Sequence, residues 1–479
     1  MFMYIDRAID KFFEPFAELL SSFIFYEIKI FDQDFPLIVL WLIFAGIFFT
    51  FYFRFINLFG LKHAIDLVTG KFNSKADGEV SHFQALSTAV SGTVGIGNIG
   101  GVAIAISIGG PGATFWLIVA GFLGMTTKFI ECTAGVLFRR VHKNGSISGG
   151  PMHYLEHGFK KYGFKNLGRG LGIFYAAAIT IGCLGIGNMF QSNQAFEQFV
   201  FLTGYESSFF ADKGWLFGLA ISGMVAIVIL GGIKSIAKVT STLVPFMAIF
   251  YVIACLIIIL FNLDELPLAI QSIFREAFSK SSVAGGMIGV MIIGFQRAVF
   301  SNEAGLGSSA IAHSAVKTNQ PITEGYVALL EPLIDTIIIC TMTSLVILVT
   351  VYDPSLSSSN IEGVALTSKA FDSTIPGSSL PLSFIAILFA FSTMLAWSYY
   401  GMKGWTYLFG NSPFIENIFK VIFCIFIVLG CMINLDSVLK ISDAIIFIVA
   451  IPNIIGLYLL APLVKKELKE YKEQIGDIS

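Results

Sequence analysis

Two short glycine-rich stretches, each inside an apolar segment, have the residue types and spacing to bind a small polar molecule. The first reads GIGNIG at 95–100, and the second reads EAGLGSS at 303–309. Both place a polar residue directly after a Gly-aliphatic-Gly triplet. The first also fits the G-x-G-x-x-G pattern that is typical of dinucleotide-binding turns, so a nucleotide site is one possible interpretation.

The surrounding sequence argues against a nucleotide. A dinucleotide-binding turn follows a strand, precedes a helix, and is completed by an acidic residue about 20 positions later. Here the residues before 95 belong to a long apolar segment, and 115–120 read FWLIVA without an acid. The sequence also contains neither an H-E-x-x-H nor a G-x-S-x-G motif, so we predict that the protein is not an enzyme.

Composition places both stretches in a membrane protein. Hydrophobic residues make up 55% of the 479 residues, charged residues only 13%, and the mean hydropathy is +0.79. A water-soluble chain of this length cannot bury that much apolar surface. No Asp, Glu, Lys or Arg occurs between Ser81 and Thr127, a run long enough for two membrane crossings of about 20 residues each. We therefore predict an all-α polytopic membrane protein.

Uncharged apolar runs predict eleven crossings, and loop charges orient them. The densest Lys and Arg clusters fall in the 139–172 loop and the 465–479 tail. The positive-inside rule therefore places the C-terminus in the cytoplasm and the N-terminus outside the cell membrane. The predicted crossings lie near 36–58, 82–109, 112–138, 173–201, 215–232, 239–262, 284–311, 324–350, 381–409, 414–433 and 441–464.

The net charge of −2 indicates no nucleic-acid partner. All six cysteines lie in apolar segments without metal-binding spacing, and we expect them to pack as small apolar residues.

The two glycine-rich stretches also indicate an internal repeat. They occupy corresponding places in two successive sets of five spans, and the third span of each set recurs at nearly the same interval. An odd number of spans in each unit gives the two units inverted topology. We accordingly predict an interfacial amphipathic segment, an extra N-terminal span, two five-helix repeats and a cytoplasmic tail, at 1–35, 36–58, 82–262, 284–464 and 465–479.

Glycines at mid-membrane depth predict a break in the first helix of each repeat. Gly costs about 1 kcal/mol relative to Ala in a helix interior. A weakened helix is tolerated inside the membrane only where the freed backbone groups meet a ligand, an ion or water. Amides at the start of a half-helix suit a carboxylate, and carbonyls at the end of one suit a cation. Close packing of small residues is the alternative; it explains the glycines of 100–110 but not Ser91, Thr93 and Asn98.

Longer blocks around these residues resemble the alanine or glycine:cation symporter family. They are ALSTAVSGTVGIGNIGGVAIAISIGGPGATFW, SGGPMHYL, FQRAVFSNEAGLGSSAIAHSA and EPLIDTIIICTMTSLVIL. The resemblance implies a sodium-coupled symporter of small neutral amino acids, chiefly alanine and glycine, with Na⁺ as co-transported ion and no organic cofactor. It also implies the fold of the bacterial leucine transporter, a five-plus-five inverted repeat with broken first and sixth core helices, and one extra span in front. Some relatives prefer glutamine and a few use H⁺, so both remain alternatives.

The helix breaks and the family resemblance together predict the substrate site. Gln191 and Asn188 are three residues apart and should share one helical face; Gln191 is the preferred contact for the amino or carboxylate group, with a helix–helix hydrogen bond as the alternative. The predicted substrate-binding residues are Thr93, Gly95, Gly97 and Asn98 in the first break, Phe300, Ser301 and Asn302 at the second, Gln191 in the third core span, and Trp397 in the eighth.

In the family's fold the eighth core span faces the first and supplies side-chain oxygens to a sodium ion. We therefore assign Ser392 and Thr393 to Na⁺, with main-chain carbonyls near Ala89, Val90 and Thr93 completing the oxygen shell. Trp397 would limit the size of the substrate pocket, or else pack in the core.

Charged residues inside spans are costly unless they are paired. Lys128 and Glu131 are three residues apart, which predicts an ion pair. Glu303 is expected to brace the unwound backbone of the second break, or alternatively to carry a proton. Asp335 is expected either to pair with Arg297 or to bind water.

A channel and a membrane-bound enzyme are the two other functional classes that the sequence could indicate. A channel is the weaker alternative, because channel filters are usually built from identical subunits, whereas two different breaks in one chain favour an enclosed, asymmetric site. A membrane-bound enzyme would need clustered His, Cys or acidic residues. The oligomeric state is left open, a monomer included.

Overall fold

The structure is a computed structural model, and it describes residues 18–19, 21–30, 33–72, 77–143, 145–279, 286–353, 363–433 and 435–476. Residues 1–17, 20, 31 and 32 of the predicted interfacial segment lie outside that part of the chain. Residues 27–36 contain a β-hairpin that the sequence did not predict, with strand β1 (Glu27–Ile30) antiparallel to β2 (Gln33–Pro36). A second small hairpin pairs β3 (Arg140–Val141) with β4 (Ile147–Ser148).

Helices make up nearly all of the remaining described structure. In the first half of the chain they are α1 (Leu37–Tyr52), α2 (Leu61–Val68), α3 (His82–Thr93), α4 (Gly97–Gly109), α5 (Gly112–Leu137), α6 (Pro151–Lys161), α7 (Lys165–Leu202), α8 (Gly214–Ile229) and α9 (Gly232–Phe261). Single turns at Ile56–Phe59 and Tyr205–Ser207 lie between them.

The second half continues with eight helices. They are α10 (Leu266–Ala277), α11 (Gly286–Asn302), α12 (Ser308–His313), α13 (Pro321–Thr350), α14 (Val364–Thr374), α15 (Ser379–Phe409), α16 (Pro413–Gly430) and α17 (Leu435–Ile475).

Among the described residues, seven helices are long and apolar enough to cross a membrane: α5, α7, α9, α13, α15, α16 and residues Ala444–Ile475 of α17. The bent pair α3 and α4 forms an eighth candidate. The other predicted crossings coincide with shorter elements, namely the 16-residue helices α1 and α8 and the pair α11 and α12. The total of eleven crossings stays a prediction.

The first predicted crossing, 36–58, is longer than the helix found there. Helix α1 ends at Tyr52, and the chain then turns through Arg54 and Phe55, whose φ angles are 53° and 57°. Two consecutive residues in the left-handed region end the helix, because helical hydrogen bonding cannot continue through that conformation.

The first core span is broken where its glycines predict. Helix α3 begins with a capping box, in which Ser81 and Gln84 exchange side-chain and backbone hydrogen bonds of 3.3 and 3.1 Å. It ends at Thr93, Val94 is extended, and α4 leaves at 51° to α3. We call α3 and α4 the first broken span, and residues 94–96 the first break.

The span predicted at 284–311 is likewise split. Helix α11 ends at Asn302, and Glu303, Gly305 and Gly307 all have positive φ, at 57°, 92° and 75°. Only Glu303 among these carries a side chain, and such a residue is uncommon in that region. We call α11 and α12 the second broken span, and residues 303–307 the second break.

The helices pack around α5 and α15. Helix α5 contacts α11, α12 and α13, and α15 contacts α3 and α7. Small residues permit this closeness: a Cβ atom placed on Gly121 of α5 would lie 2.8 Å from Thr336 of α13. All six cysteines are free and five of them are buried. The predicted apolar packing does not hold for Cys340, whose Sγ lies 3.3 Å from Asn98 Nδ2 and 3.4 Å from Ser301 Oγ.

The outer ends of α3 and α12, far from the two breaks, are joined to each other by backbone. Val80 pairs with Val316 in a parallel bridge, with Glu79 N donating to Ala315 O at 2.7 Å and Lys317 N to Val80 O at 2.8 Å. We call residues 77–82 and 313–318 the joined ends.

The guanidinium of Arg139, just beyond α5, clamps the joined ends. It donates to the carbonyls of Asp77, Ser314, Val316 and Thr318 at 2.5 to 3.0 Å.

Candidate substrate and ion site

Asn98 hydrogen-bonds to the backbone of the first break. Its Oδ1 accepts a 2.7 Å hydrogen bond from Gly95 N, which caps the start of α4 in place of a helical carbonyl. A Cβ atom placed on Gly95 would lie 2.7 Å from Thr393 Oγ1 and 3.5 Å from Gln191 Oε1. Glycine is required here because side chains from two other helices approach the backbone.

A carboxylate joins the two broken spans. Asp335 on α13 accepts from Asn98 Nδ2 at 2.6 Å through Oδ1, and from Ser301 Oγ at 2.8 Å and Thr336 Oγ1 at 2.7 Å through Oδ2. Asn98 Nδ2 also lies 3.0 Å from Ser301 Oγ. All four side chains are buried. The predicted residues Asn98 and Ser301 therefore meet, and the acid that brings them together is Asp335.

Gln191 extends from α7 toward the first break. Its Nε2 donates to Ile186 O at 3.2 Å, while its Oε1 accepts no hydrogen bond from any described residue. The side chain is 4% exposed. A buried acceptor without a donor is costly, so this oxygen is ready to receive a hydrogen bond from a bound molecule.

Helix α15 supplies oxygens to the other face of α3. Thr393 Oγ1 lies 3.0 Å from Ser91 O and 3.0 Å from Phe389 O, and Ser91 Oγ lies 2.6 Å from Ser392 O. Ser392 Oγ turns back to Phe389 O at 2.9 Å. The predicted Na⁺ residues of α15 therefore sit at an oxygen-rich contact between the first broken span and α15.

The predicted carbonyls of α3 lie in the same turn. Val90 O accepts hydrogen bonds from Val94 N at 2.7 Å and Thr93 Oγ1 at 3.2 Å, and Ala89 precedes it in the buried helix. The α3 oxygen that meets Thr393 directly is Ser91 O, one residue beyond the predicted pair.

Trp397 lies between the end of α3 and the second break. Its indole Nε1 lies 3.3 Å from Gly92 O and 3.1 Å from Glu303 Oε1, and its ring occupies the space beside Gly187 of α7. It is 2% exposed. The ring is thus fixed between α3, α7 and the second break, in a position to close one side of the site.

Phe300 and Asn302 differ in their orientation. Phe300 lies beside Gly97, where a Cβ atom would be 3.4 Å from its ring, and it packs edge-to-face on Phe190 at 5.7 Å. Asn302 turns to α13, donating to Thr336 Oγ1 at 2.9 Å and accepting from Ala304 N at 2.9 Å. Phe300 therefore faces the first broken span, whereas Asn302 braces the second.

The second break is occupied by protein side chains. Glu303 accepts from the Ser308 hydroxyl and from Trp397, which agrees with the bracing role expected for it. Asn453 of α17 donates to Gly305 O and to Glu131 Oε1, both at 2.7 Å. Glu131 Oε1 also accepts from Gly307 N at 3.1 Å. The freed backbone of this break is thus satisfied from α5 and α17.

Two predictions about side-chain partners were wrong. Lys128 forms its salt bridge with Glu331 of α13 at 3.2 Å rather than with Glu131, which contacts the second break instead. Gln191 and Asn188 also do not share one helical face. Residues Gly185–Met189 form a π-helical turn, and Asn188 Nδ2 donates to Phe423 O of α16 at 2.8 Å.

The sequence interpretation did not place Asp335, Asn453 and Glu131 in these sites. A signal existed for the two acids, because a carboxylate inside a membrane span needs a partner. For Asn453 the signal was a polar side chain in the long apolar helix α17, but its partners on other elements could not be predicted from the sequence.

Chemically, the site combines one carboxylate, one free amide oxygen, a helix amino end and a cluster of hydroxyl and carbonyl oxygens. A helix amino end favours an anion, and neutral oxygens with a carboxylate suit a hard cation. The set fits a zwitterion together with a monovalent cation.

Comparisons with known proteins agree with this chemistry. A family model described as the sodium:alanine symporter family matches residues 19–477. The chain is 39% identical over 440 residues to the sodium/alanine symporter AgcS of Methanococcus maripaludis, across 91% of this chain and 94% of that protein. It is 32% identical over 440 residues to the probable sodium/glutamine symporter GlnT of Bacillus subtilis, across 91% of this chain and 88% of that protein.

Among solved structures, the crystal structure of MhsT in complex with L-phenylalanine aligns with a TM-score of 0.56 and 16% sequence identity. The alignment covers 80% of this chain and 89% of that chain. At this identity the likeness shows the fold, and it confirms the predicted leucine-transporter-like fold. Because the family model and AgcS both span nearly the whole sequence, the chain belongs to the sodium:alanine symporter family and is a multi-pass membrane transporter, not an enzyme.

Proposed function

We propose that the protein carries alanine or glycine into the cell together with Na⁺, by alternating access around the first break. The observation that supports this proposal most directly is that three polar groups lie at or beside this break. They are the Asp335 carboxylate, the unpartnered Gln191 Oε1 and the Thr393 hydroxyl. The proposed membrane orientation keeps the C-terminus in the cytoplasm, and the proposed repeats remain 82–262 and 284–464.

Charge balance supports cation coupling. A neutral amino acid is a zwitterion and adds no net charge to the site, whereas Na⁺ adds one positive charge. Asp335 is a carboxylate that contacts Asn98 of α4 directly, and a buried cation needs such a counter-charge. The oxygens of Ser91, Ser392 and Thr393 would form the neutral part of the ion shell.

The ammonium and the carboxylate of the substrate would bind to different parts of the site. Gln191 Oε1 is an acceptor and suits the ammonium, while the amino end of α4, beginning at Gly97, suits the carboxylate. Phe300 and Trp397 would wall the side-chain space. Two large rings so close to Gly97 and Gly187 favour a methyl group or hydrogen over a glutamine side chain.

The deciding experiment is uptake into proteoliposomes. Radiolabelled L-alanine, glycine and L-glutamine are compared under an inward Na⁺ gradient, with Li⁺, K⁺ and H⁺ gradients of equal size and with a Na⁺ ionophore as controls. We expect alanine and glycine uptake driven by Na⁺ and abolished by the ionophore. Uptake driven equally by a proton gradient would replace Na⁺ by H⁺, and preferential glutamine uptake would contradict the assigned pocket size.

A further inference from the structure

A cluster of buried charged residues lies between the joined ends and the second break, outside the substrate site. It consists of His82 at the start of α3, His313 at the end of α12, Glu324 and Glu331 on α13, and Lys128 on α5. His82 is 4% exposed and the other four are fully buried. We call these five residues the histidine–glutamate cluster.

The cluster is a continuous chain of hydrogen bonds. The two oxygens of Glu324 contact His82 Nδ1 and His313 Nδ1. The other ring nitrogen of His313, Nε2, lies 2.8 Å from Glu331 Oε1. Glu331 Oε2 then meets Lys128 Nζ at 3.2 Å and Ser309 Oγ at 2.6 Å.

The geometry fixes the number of protons. Three ring-nitrogen-to-carboxylate contacts need three hydrogens, because a carboxylate oxygen and a bare ring nitrogen are both acceptors. Two neutral imidazoles provide only two. The third hydrogen is an additional proton, held by His313 between Glu324 and Glu331.

The net charge of the five residues also indicates one additional proton. With two carboxylates, one lysine and two neutral histidines, the cluster would carry one net negative charge in the interior of the protein. The additional proton makes it neutral, and an uncompensated buried charge is strongly unfavourable. The closed cluster therefore favours the protonated form of His313.

Other charged and titratable groups also act on the cluster, so the count of hydrogens, rather than the count of charges, assigns the third proton to His313. From α5, the Cys132 thiol lies within 4.8 Å of the His313 and Glu331 ligand atoms, and the buried Tyr400 of α15 is also near Glu331. Both are neutral in ordinary conditions. The negative charges of Glu131 and Glu303 act on Lys128, and the positive charge of Arg139 acts on Glu324 while its guanidinium binds the carbonyls of the joined ends.

Cys132, His313 and Glu331 also have the ligand types of a metal site. Both nitrogens of His313 are already engaged by carboxylates, and Lys128 places a positive charge on Glu331. A proton therefore fits this position better than a metal ion.

Two residues of the histidine–glutamate cluster belong to the joined ends, so the cluster and the ends are coupled. His82 belongs to one end and His313 to the other, and Glu324 bridges them. Separating the ends breaks the His82 contact and admits water to His313, whose imidazole then titrates near its ordinary value of about 6.5. We propose that the Glu324–His313–Glu331 triad is a proton-binding site that takes up one proton when the joined ends close and releases it when they open.

This proposal is independent of which amino acid or cation is transported. The closed state binds one proton more than the open state above the ordinary pKa of histidine, so rising pH favours opening. The closed-to-open ratio then changes by at most about tenfold per pH unit.

Hydrogen–deuterium exchange of the protein in lipid nanodiscs tests the proposal. The amides of Glu79 and Lys317 are hydrogen-bonded across the joined ends, so peptides covering 77–82 and 313–318 report opening. After correction for intrinsic exchange chemistry, we expect their protection to fall about tenfold or more between about pH 6 and about pH 8.5. A profile independent of pH in the unmodified protein would overturn the proposal.

Two variants and one control locate the proton. In Glu331→Gln the side-chain amide can donate to His313 Nε2, so a neutral imidazole satisfies both neighbours and the pH dependence should disappear. His313→Gln should remove it as well. The control is His63→Gln, because His63 contacts the Tyr471 hydroxyl at 2.8 Å rather than a carboxylate, and burial lowers its pKa.

The control must keep the pH dependence of the unmodified protein. If His313→Gln fails to fold, Glu331→Gln decides alone; a pH dependence that survives in Glu331→Gln would assign the proton to another group and reject the triad.

Discussion

The two breaks look alike in sequence and differ in what satisfies them. In the second, Glu131, Glu303 and Asn453 contact the backbone or side chains of residues 303–308 from inside the protein. In the first, the Gly95 amide is capped by Asn98 of the same span, while Gln191 Oε1 faces the break without a donor.

We propose that this difference separates a structural break from a binding one. Both interrupt a helix inside the membrane, and both must therefore satisfy freed polar groups. The second does so with protein groups and gains rigidity. The first keeps acceptor capacity beside Asp335 and Thr393, and this spare capacity is what a transported solute and its ion can use.

The largest expected effect is on stability, at the second break. Asn453→Leu leaves Gly305 O, Glu131 Oε1 and the Tyr154 hydroxyl without their Asn453 partner in a fully buried position. Glu131 Oε1 keeps its hydrogen bond from Gly307 N, so two groups are left unsatisfied. At about 1–3 kcal/mol for each group, we expect a loss of roughly 2 to 6 kcal/mol in the free energy of unfolding.

Thermal unfolding in detergent, followed by intrinsic fluorescence, measures this loss. The control is Asn262→Leu at the half-buried end of α9, where the side chain contacts Ile258 O and Thr374 Oγ1. A melting temperature of Asn453→Leu equal to that of the control would mean that the second break does not depend on this brace.

Asp335→Asn should instead remove transport and spare folding. The new amide can still accept from Asn98 and donate to Ser301, so the hydrogen bonds survive while the negative charge is lost. A charged partner in a buried site contributes about 1.5–3 kcal/mol, which predicts a decrease in uptake of roughly 100-fold at limiting Na⁺.

Uptake and melting temperature are measured on the same preparation. The control is Asp372→Asn, whose carboxylate accepts from Ser379 N at 2.8 Å between α14 and α15, away from the first break. Normal uptake by Asp335→Asn would show that the first break needs no counter-charge, and the comparison between the breaks would lose its electrostatic basis.

Much of this contrast could be predicted from local sequence. Helix breaks depend on residues that are neighbours in the chain, so the glycines near 95 and 305 located both, and the 51° bend lies where expected. Asn98 was predicted as a binding residue from the first break and Ser301 from the family's fold, and the structure brings the two side chains within 3.0 Å of each other.

Partners across helices could not be predicted in the same way. Helical spacing made Glu131 the obvious neighbour of Lys128, but Glu331 and Ser309 from other helices occupy the space around its ammonium. The equal spacing of Asn188 and Gln191 also misled, because a π-helical turn at Gly185–Met189 changes the angle between successive residues. Such outcomes depend on packing rather than on periodicity.

A smaller effect is expected for the unpartnered amide of the first break. Gln191→Ala removes one 3.2 Å hydrogen bond and the free acceptor, so folding should change little. A hydrogen bond to a charged group contributes about 1.5–3 kcal/mol, and we therefore expect the alanine concentration for half-maximal uptake to rise at least about tenfold.

Asn188→Ala is the matched control. It is a buried amide three residues away in the same span, but it donates to Phe423 O on α16. Its half-saturating alanine concentration should match that of the unmodified protein. If both variants raise this concentration equally, α7 acts through general packing and Gln191 is not a substrate contact.

The smallest expected effect distinguishes two adjacent residues of α15. Thr393 Oγ1 reaches across to Ser91 O at 3.0 Å, whereas Ser392 Oγ bonds Phe389 O within its own helix and offers only its carbonyl to α3. Thr393→Ala removes an oxygen at the contact with the first broken span; Ser392→Ala leaves that contact in place.

Loss of one neutral ligand at about 1 kcal/mol predicts a roughly fivefold rise in the half-saturating Na⁺ concentration for Thr393→Ala. We expect little change for Ser392→Ala, and the same alanine dependence for both variants at saturating Na⁺. An equal rise in both variants would mean that α15 affects Na⁺ binding through its packing and would remove the Thr393 hydroxyl from the ion site, because both substitutions leave the backbone unchanged.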